Sequence, residues 1–316
     1  MMEKNVVRLI SASKKDLKEM TGRDLKKSIL KSEGRVVMGQ HLIFASNGLV
    51  RGVNNTELMK AFGADMVMLN TCNLKGNDLD DVIANPGMQG LTLRKLKERA
   101  NIPVGIYLGC PGSNEVPKDK IYDLEGMLAT EDNIRKCKDM GADFIVLGGN
   151  PGCGTSIDDV IKTTKLAREI CGEDLLIFAG KWEDGITEKV LGDPLATRDA
   201  KEIIKELIDA GVDVIDLPAP GSRHGISVHM IQELVQFTHT YKPGTLAMTF
   251  LNSSVECADE QTIRQIALLM KETGADIHAI GDGGFAGCST PENVMQLSIS
   301  LKGKHYTYFR MASTNR

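Results

Sequence analysis

Four short stretches of this chain repeat one pattern: 63–69 (GADMVML), 141–147 (GADFIVL), 211–217 (GVDVIDL) and 274–280 (GADIHAI). In each copy a glycine ends a helix-like segment, as its left-handed backbone allows, and an aspartate opens a short apolar strand. Further apolar runs lie between the copies, at 36–44, 104–108, 175–179 and 246–251. Strands alternating with helical patterns are the mark of a parallel sheet with helical crossovers. About eight such strands in 316 residues fit one closed barrel, typically ~250 residues with extras. The sequence therefore predicts an α/β fold, a (β/α)8 TIM barrel over 35–316, with an N-terminal helical extension over 1–34.

The extension is strongly charged, with Leu17, Met20, Leu25, Ile29 and Leu30 at helical spacing. That spacing predicts one or two amphipathic helices laid across the barrel bottom or against a partner subunit. Beyond it, helix-to-strand connections are short, whereas strand-to-helix connections are long, polar and rich in glycine. Barrels of this kind bind ligands on the strand-to-helix loops, at the C-terminal ends of the strands. The chain has placed its extra length at that working end, which points to an enzyme.

Strand alternation assigns the faces. The second and fourth positions after each repeat's aspartate are uniformly bulky apart from His278, and suit the layer between strands and helices. The third and fifth, among them Asn70 and Asp216, then face the bore. An acidic residue pointing outward under a helix would cost a few kcal/mol in desolvation unless paired.

The last repeat runs into a glycine-rich turn, with Asp282, Gly283 and Gly284, and then Ser289-Thr290-Pro291-Glu292, which reads as a helix start with an early proline. Glycines admit an anion close to the backbone, and helix-start N–H groups point at it. Here a resemblance enters. The run 210–218, with Asp216, looks like the strand that carries the catalytic carboxylate in aldolase-like, phosphate-binding barrels such as tryptophan synthase alpha subunits. The Gly283-Gly284 turn and Thr290-Pro291-Glu292 resemble the phosphate grip of those barrels. The likeness covers two segments of some nine to fifteen residues each. The phosphoenolpyruvate mutase and isocitrate lyase group matches the length and barrel reading, but its Lys-Lys-Cys-Gly signature is absent here.

Asp216 is the leading general acid or base, because burial at a strand end raises a carboxyl pKa towards neutrality; its bland alternative is a carboxylate bonded to backbone N–H groups. In the next loop Arg223 suits a carboxylate or phosphate and His224 can move protons near neutral pH, though both residue types are common on solvated loops. Lys181, just past the fifth strand, is an anion-binding or Schiff-base lysine. Glu183, Asp184 and Asp216 would suit magnesium. Asn47, Asn70, Asn150, Gly152 and Asn252 stand in working-end loops where neutral groups orient a substrate. Cys110, Cys153, Cys257 and Cys288 lie there too, without a histidine partner in sequence, and His41 reads as a satisfied interior histidine.

A net charge of -4 gives nucleic acid no electrostatic invitation. No run approaches a membrane span, and the first 13 residues lack a signal-like apolar core. Seven cysteines without paired C-x-x-C spacing point to reduced thiols in a cytoplasm. The expectation is a cytoplasmic enzyme, as a homo-oligomer, acting on a small anionic metabolite. It would transfer a proton next to a carbonyl, as a carbon-carbon lyase or isomerase. Metal-assisted hydrolysis and a non-catalytic, metabolite-binding barrel are the alternatives.

Overall fold

The eight apolar runs are strands: β1 (Val36–Leu42), β2 (Met66–Asn70), β3 (Val104–Gly109), β4 (Phe144–Gly148), β5 (Leu176–Gly180), β6 (Val214–Pro218), β7 (Leu246–Leu251) and β8 (Ile277–Ile280). They pair in parallel and in sequence order, and β8 closes on β1. This computed structural model describes residues 6–44, 47–75, 79–114, 124–150, 153–183, 188–281 and 287–313. The helices are α1 (Lys14–Lys18), α2 (Gly22–Leu30), α3 (Asn55–Ala61), α4 (Leu93–Ala100), α5 (Glu131–Met140), α6 (Ile157–Cys171), α7 (Ala200–Asp209), α8 (Val228–Tyr241), α9 (Glu260–Glu272) and α10 (Pro291–Ala312). Side-chain caps fix where the crossover helices begin: Asn54, Thr92, Thr130, Ser156, Asp199, Ser227, Asp259 and Thr290 start α3 to α10 in turn. Each accepts from an otherwise orphaned N–H of the first turn. No helix among the described residues is long and apolar enough to cross a membrane.

The repeat has a physical cause at every position. Its glycines, Gly63, Gly141, Gly211 and Gly274, all have positive φ, the left-handed turn that takes the chain out of a helix and under the sheet. Its aspartates then bind the neighbouring strand. Asp65, Asp143, Asp213 and Asp276 accept from the backbone N–H of Val37 at 3.0 Å, Val104 at 2.8 Å, Ile177 at 3.0 Å and Ala247 at 2.9 Å. Their own N–H groups donate back to the carbonyls of the same four residues. Each of β2, β4, β6 and β8 is thus clasped to the strand before it at its N-terminal end.

Every clasp has a basic side chain beside it. Lys97 lies 2.9 Å from Asp143, Lys26 lies 2.9 Å from Asp213 with Arg168 on its other oxygen, and His239 lies 2.9 Å from Asp276. Asp65 differs in being wholly buried, as are both its partners, Lys302 and Arg310. Lys302 ends the first part of α10, which turns at Gly303 (φ 76°). Arg310 also donates to the carbonyl of Leu9.

The bore and the outer layer separate as the alternation requires. Met68, Val146 and Ala279 belong to the cluster inside the barrel, whereas Val67, Leu69, Ile145, Leu147, Ile215 and Leu217 belong to the layer under the helices. His278 faces that outer layer, where its Nε2 donates to the carbonyl of Gly34 at 3.2 Å and its Nδ1 accepts from Thr249 Oγ1 at 2.8 Å. The inner cluster continues downward into Leu9, Ile10, Leu25 and Ile29, so the extension plugs the barrel bottom. Leu30 does not join the plug and is 38% exposed.

Two measurements follow from these contacts. Asp65→Asn leaves Lys302 and Arg310 buried without a counter-charge, so denaturation should show about 3–5 kcal/mol lost; Asp143→Asn, with its half-exposed lysine, should lose markedly less. Equal losses would refute the distinction. Burial holds His278 neutral, with its pKa lowered to about 4. Between that value and the ordinary ~6.5 the unfolded chain binds a proton that the fold does not. This stabilisation is complete above the upper value and is lost as pH falls through the lower one. His41 adds to the same acid limb. Melting temperature should therefore drop less between neutral pH and about pH 4.5 in His278→Gln than in the wild type, and an unchanged drop would contradict the assignment.

Candidate functional site

Going up the bore, the inward positions change character. Below are Val36, Met66, Phe144, Leu176, Val214 and Ile277. At the C-terminal ends alternation brings in Gln40, Asn70, Gly109, Gly148, Gly180, Asp216 and Gly281, with Phe250 from β7. Gly109, Gly148 and Gly281 stand where side chains of neighbouring segments lie across the strand, and Gly180 lies against the Asp216 backbone. A Cβ on Gly148 would stand 2.9 Å from both the Tyr107 hydroxyl and the Trp182 ring, and one on Gly109 would stand 2.6 Å from Asn150 Nδ2. One on Gly281 would overlap the Glu256 carboxylate.

Asp216 is fully buried, level with Gly180 and Met248 in the register. Neither carboxylate oxygen has a hydrogen-bond partner among the described residues. Removal from water disfavours the charged form, and it pushes the Asp216 carboxyl well above the usual carboxylate range. An aromatic cluster stands at the same end of the bore. Trp182 stacks on Phe250 with centroids 5.7 Å apart and an interplanar angle of 23°, and meets Tyr107 edge-on at 6.2 Å and 88°. The Tyr107 hydroxyl and the Trp182 indole nitrogen are buried and likewise have no hydrogen-bond partner among the described residues. Burial first, then the charge of Glu183 and, further down, that of Asp216, raise the Tyr107 pKa and keep the phenol protonated.

The other sequence candidates divide around this centre. Lys181 is buried immediately after Gly180. Glu183 and Asn252 come together, Asn252 Nδ2 donating to Glu183 Oε2 at 2.7 Å. Asn150 is buried against Gly109. Asn70 tops β2 with its Oδ1 accepting from the Thr71 N–H at 2.7 Å. Thr290 caps α10. Arg223 is half-buried in the turn after β6, but His224 beside it is exposed and does not share the burial of Asp216. Asn47 is exposed as well, with its carbonyl accepting from Gln89 Nε2 at 2.5 Å. Gly152, Asp184, Asp282, Gly283 and Gly284 lie outside the described residues. Among the described residues no three His, Cys, Asp or Glu side chains gather to hold a metal ion. The loop cysteines are thiols: Cys110, Cys153 and Cys288 are buried, Cys257 partly so, and burial raises Cys110 to about 12.

Sequence reasoning passed over Tyr107 and Phe250 and gave Trp182 no role. A signal existed for the first: Tyr107 precedes Gly109 by two positions on β3 and so shares its face. The stacking of Trp182 on Phe250 joins segments far apart in sequence and left no local pattern. A cavity of about 410 Å³ lies at the opposite end of the barrel, under α1 and α2, lined among others by Lys97, Pro103 and Asp143. Lys97 there is already taken by Asp143 and the carbonyl of Gly141.

A family model described as "Domain of unknown function (DUF7916)" matches residues 10–316. No curated protein matches the chain. Among solved structures the barrel is similar to the carboxyl transferase domain of Rhizobium etli pyruvate carboxylase. The structure with 3-bromopyruvate gives a TM-score of 0.56 at 11% identity, covering 98% of this chain and 53% of that one. The structure with pyruvate gives 0.54 at 13%, with coverage of 98% and 53%. The complete multifunctional enzyme gives 0.53 at 12%, with coverage of 94% and 30%. The chain thus spans about half of the domain structures it matches, and at this identity the likeness is one of fold.

The crossing at Gly148 can be checked directly. Gly148→Ala should displace Trp182 and Tyr107, shifting tryptophan emission and lowering melting temperature. Unchanged emission would mean that the rings do not cross this strand.

Proposed function

The chain belongs to the DUF7916 family, and we propose that its barrel is an enzyme that moves a proton next to the carbonyl of a small phosphorylated or carboxylated metabolite, as a carbon-carbon lyase or isomerase. The observation that supports this reading is the state of Asp216. A buried carboxyl without partners is costly to a fold, and it stands at the end of the barrel where such folds do their chemistry. With a raised pKa it is a stronger base when ionised and still able to return the proton. The Asp216 carboxylate takes a proton from the carbon beside the carbonyl, the C–H pair moves into the carbon-carbon bond, and the carbonyl oxygen gains the charge. Return of the proton to the same or a neighbouring carbon completes the cycle.

For the anionic end of the substrate, the helix start at Thr290 offers N–H donors, and Asp282, Gly283 and Gly284, outside the described residues, are the adjoining part of the proposed grip. Lys181 and Arg223 supply positive charge nearby, with Lys181 the better placed to assist Asp216 because His224 is exposed. Similar structures carry pyruvate and 3-bromopyruvate in their descriptions, and this makes 2-oxo acids the first compounds to try.

The test is solvent deuterium wash-in at the carbon beside the carbonyl, followed by NMR for pyruvate and a panel of small 2-oxo acids and sugar phosphates. Wild-type protein should exchange at least one of them. Asp216→Asn should fold, keep ligand binding and exchange roughly 10²-fold more slowly. An Asn variant that melts earlier yet exchanges at the wild-type rate per folded molecule would make Asp216 structural.

A further inference from the structure

Besides Asp216, two polar groups at the upper end of the bore have no explanation in the fold: the Tyr107 hydroxyl and the Trp182 indole N–H. Both are buried, and neither has a hydrogen-bond partner among the described residues. Buried donors are normally satisfied, so several left open in one place ask for a ligand that satisfies them together. They arrive from different elements, Tyr107 from β3 and Trp182 from the segment after β5, and Asp216 of β6 is near enough for its charge to act on the Tyr107 phenol.

The two donors are held before any ligand arrives. Trp182 lies between the Tyr107 edge and the Phe250 face, and Gly148 leaves room for both rings to cross β4. A donor fixed by packing needs no reorganisation when charge develops on an oxygen, which is how neutral groups stabilise an oxyanion. Tyr107 remains a protonated donor across the neutral range, because burial and the neighbouring carboxylates oppose its ionisation.

We propose that Tyr107 is a further catalytic residue, and that its O–H and the Trp182 N–H donate to the carbonyl oxygen of a small, planar, enolisable substrate lying against the aromatic cluster. The proposal rests on the reading of Asp216 as the group that moves the proton. The developing enolate oxygen receives hydrogen bonds from these two donors while Asp216 holds the proton, and no charge has to be brought in from solvent. The substrate class this fits is a short 2-oxo acid or a comparable ketone, whose carbonyl oxygen can accept from both donors at once as it becomes an enolate oxygen.

Trp182 is the only tryptophan in the chain, so its emission reports on this site. Oxalate, a planar mimic of a 2-oxo acid enolate, should change the emission saturably in the wild type. In Tyr107→Phe, which keeps the ring and its packing, affinity for oxalate should fall by roughly 10-fold or more, and deuterium wash-in by roughly 10²-fold. Incorporating 3-fluorotyrosine at position 107 keeps the ring and the hydroxyl and should restore both, which separates loss of the donor from loss of fold. Wild-type oxalate affinity and wash-in in Tyr107→Phe would overturn the role of Tyr107 and leave that of Asp216 standing. Failure of the wild type to respond to oxalate would overturn the donor set, and absence of wash-in from every compound in the panel would remove the enzyme reading with it.

Discussion

The four aspartates at the starts of β2, β4, β6 and β8 are the interaction on which the rest of this barrel depends. At its start a parallel strand has backbone groups that lie beyond the end of the interstrand ladder, and a barrel has eight such starts at one end. Each aspartate closes one of them with its side chain and its own N–H, and so fixes the register of two strands in a single contact. Since a slip of one residue would turn every side chain to the opposite face, this contact keeps the apolar set under the helices and the mixed set in the bore. Register is settled at the bottom of the barrel, and the upper ends are left free to carry groups that no stable fold would select.

The price of that freedom is visible at Asp216. Lower in the bore the same inward positions hold Val214, Phe144 and Leu176, which fill the space and stabilise it. One or two steps higher they become glycine, asparagine or aspartate. Glycines there do not loosen the strands; they admit Tyr107, Trp182, Asn150 and Glu256 from neighbouring segments to close approach. Local violation of packing and hydrogen-bonding rules, confined to one end of an otherwise consistent structure, is what a working site looks like in physical terms.

How much of this was legible in the sequence follows from the range of the interactions. The barrel was, because Gly63, Gly141, Gly211 and Gly274 mark helix ends by backbone geometry and the aspartates mark strand starts, and both signals lie within a few residues. The inward face of Asp216 and the outward face of His278 were legible through the two-residue period. The role of the repeat aspartates was not, since their acceptor bonds reach 28 to 39 residues back along the chain. Tyr107 and Phe250 escaped for a related reason: an aromatic on an apolar strand reads as core, and only the folded chain shows that the Tyr107 hydroxyl is buried without a partner among the described residues and that the Phe250 face is stacked on Trp182. His224 was weighed by its chemistry, and its exposure depends on how the turn after β6 folds, which composition does not encode.

One clasp ties distant parts of the chain together. Asp65 of the second strand is neutralised by Lys302 and by Arg310, which lies 245 residues further on and also binds the carbonyl of Leu9 at the barrel plug. During synthesis the first third of the chain is therefore made with a carboxylate that cannot yet be buried, because its counter-charges belong to the last helix. Burial of Asp65 with its counter-charges waits on a loop closure that spans most of the chain. Folding of this barrel is thereby coupled to the arrival of its final helix, and a chain cut short before Lys302 would stay in a partly assembled state suited to recognition by chaperones and proteases.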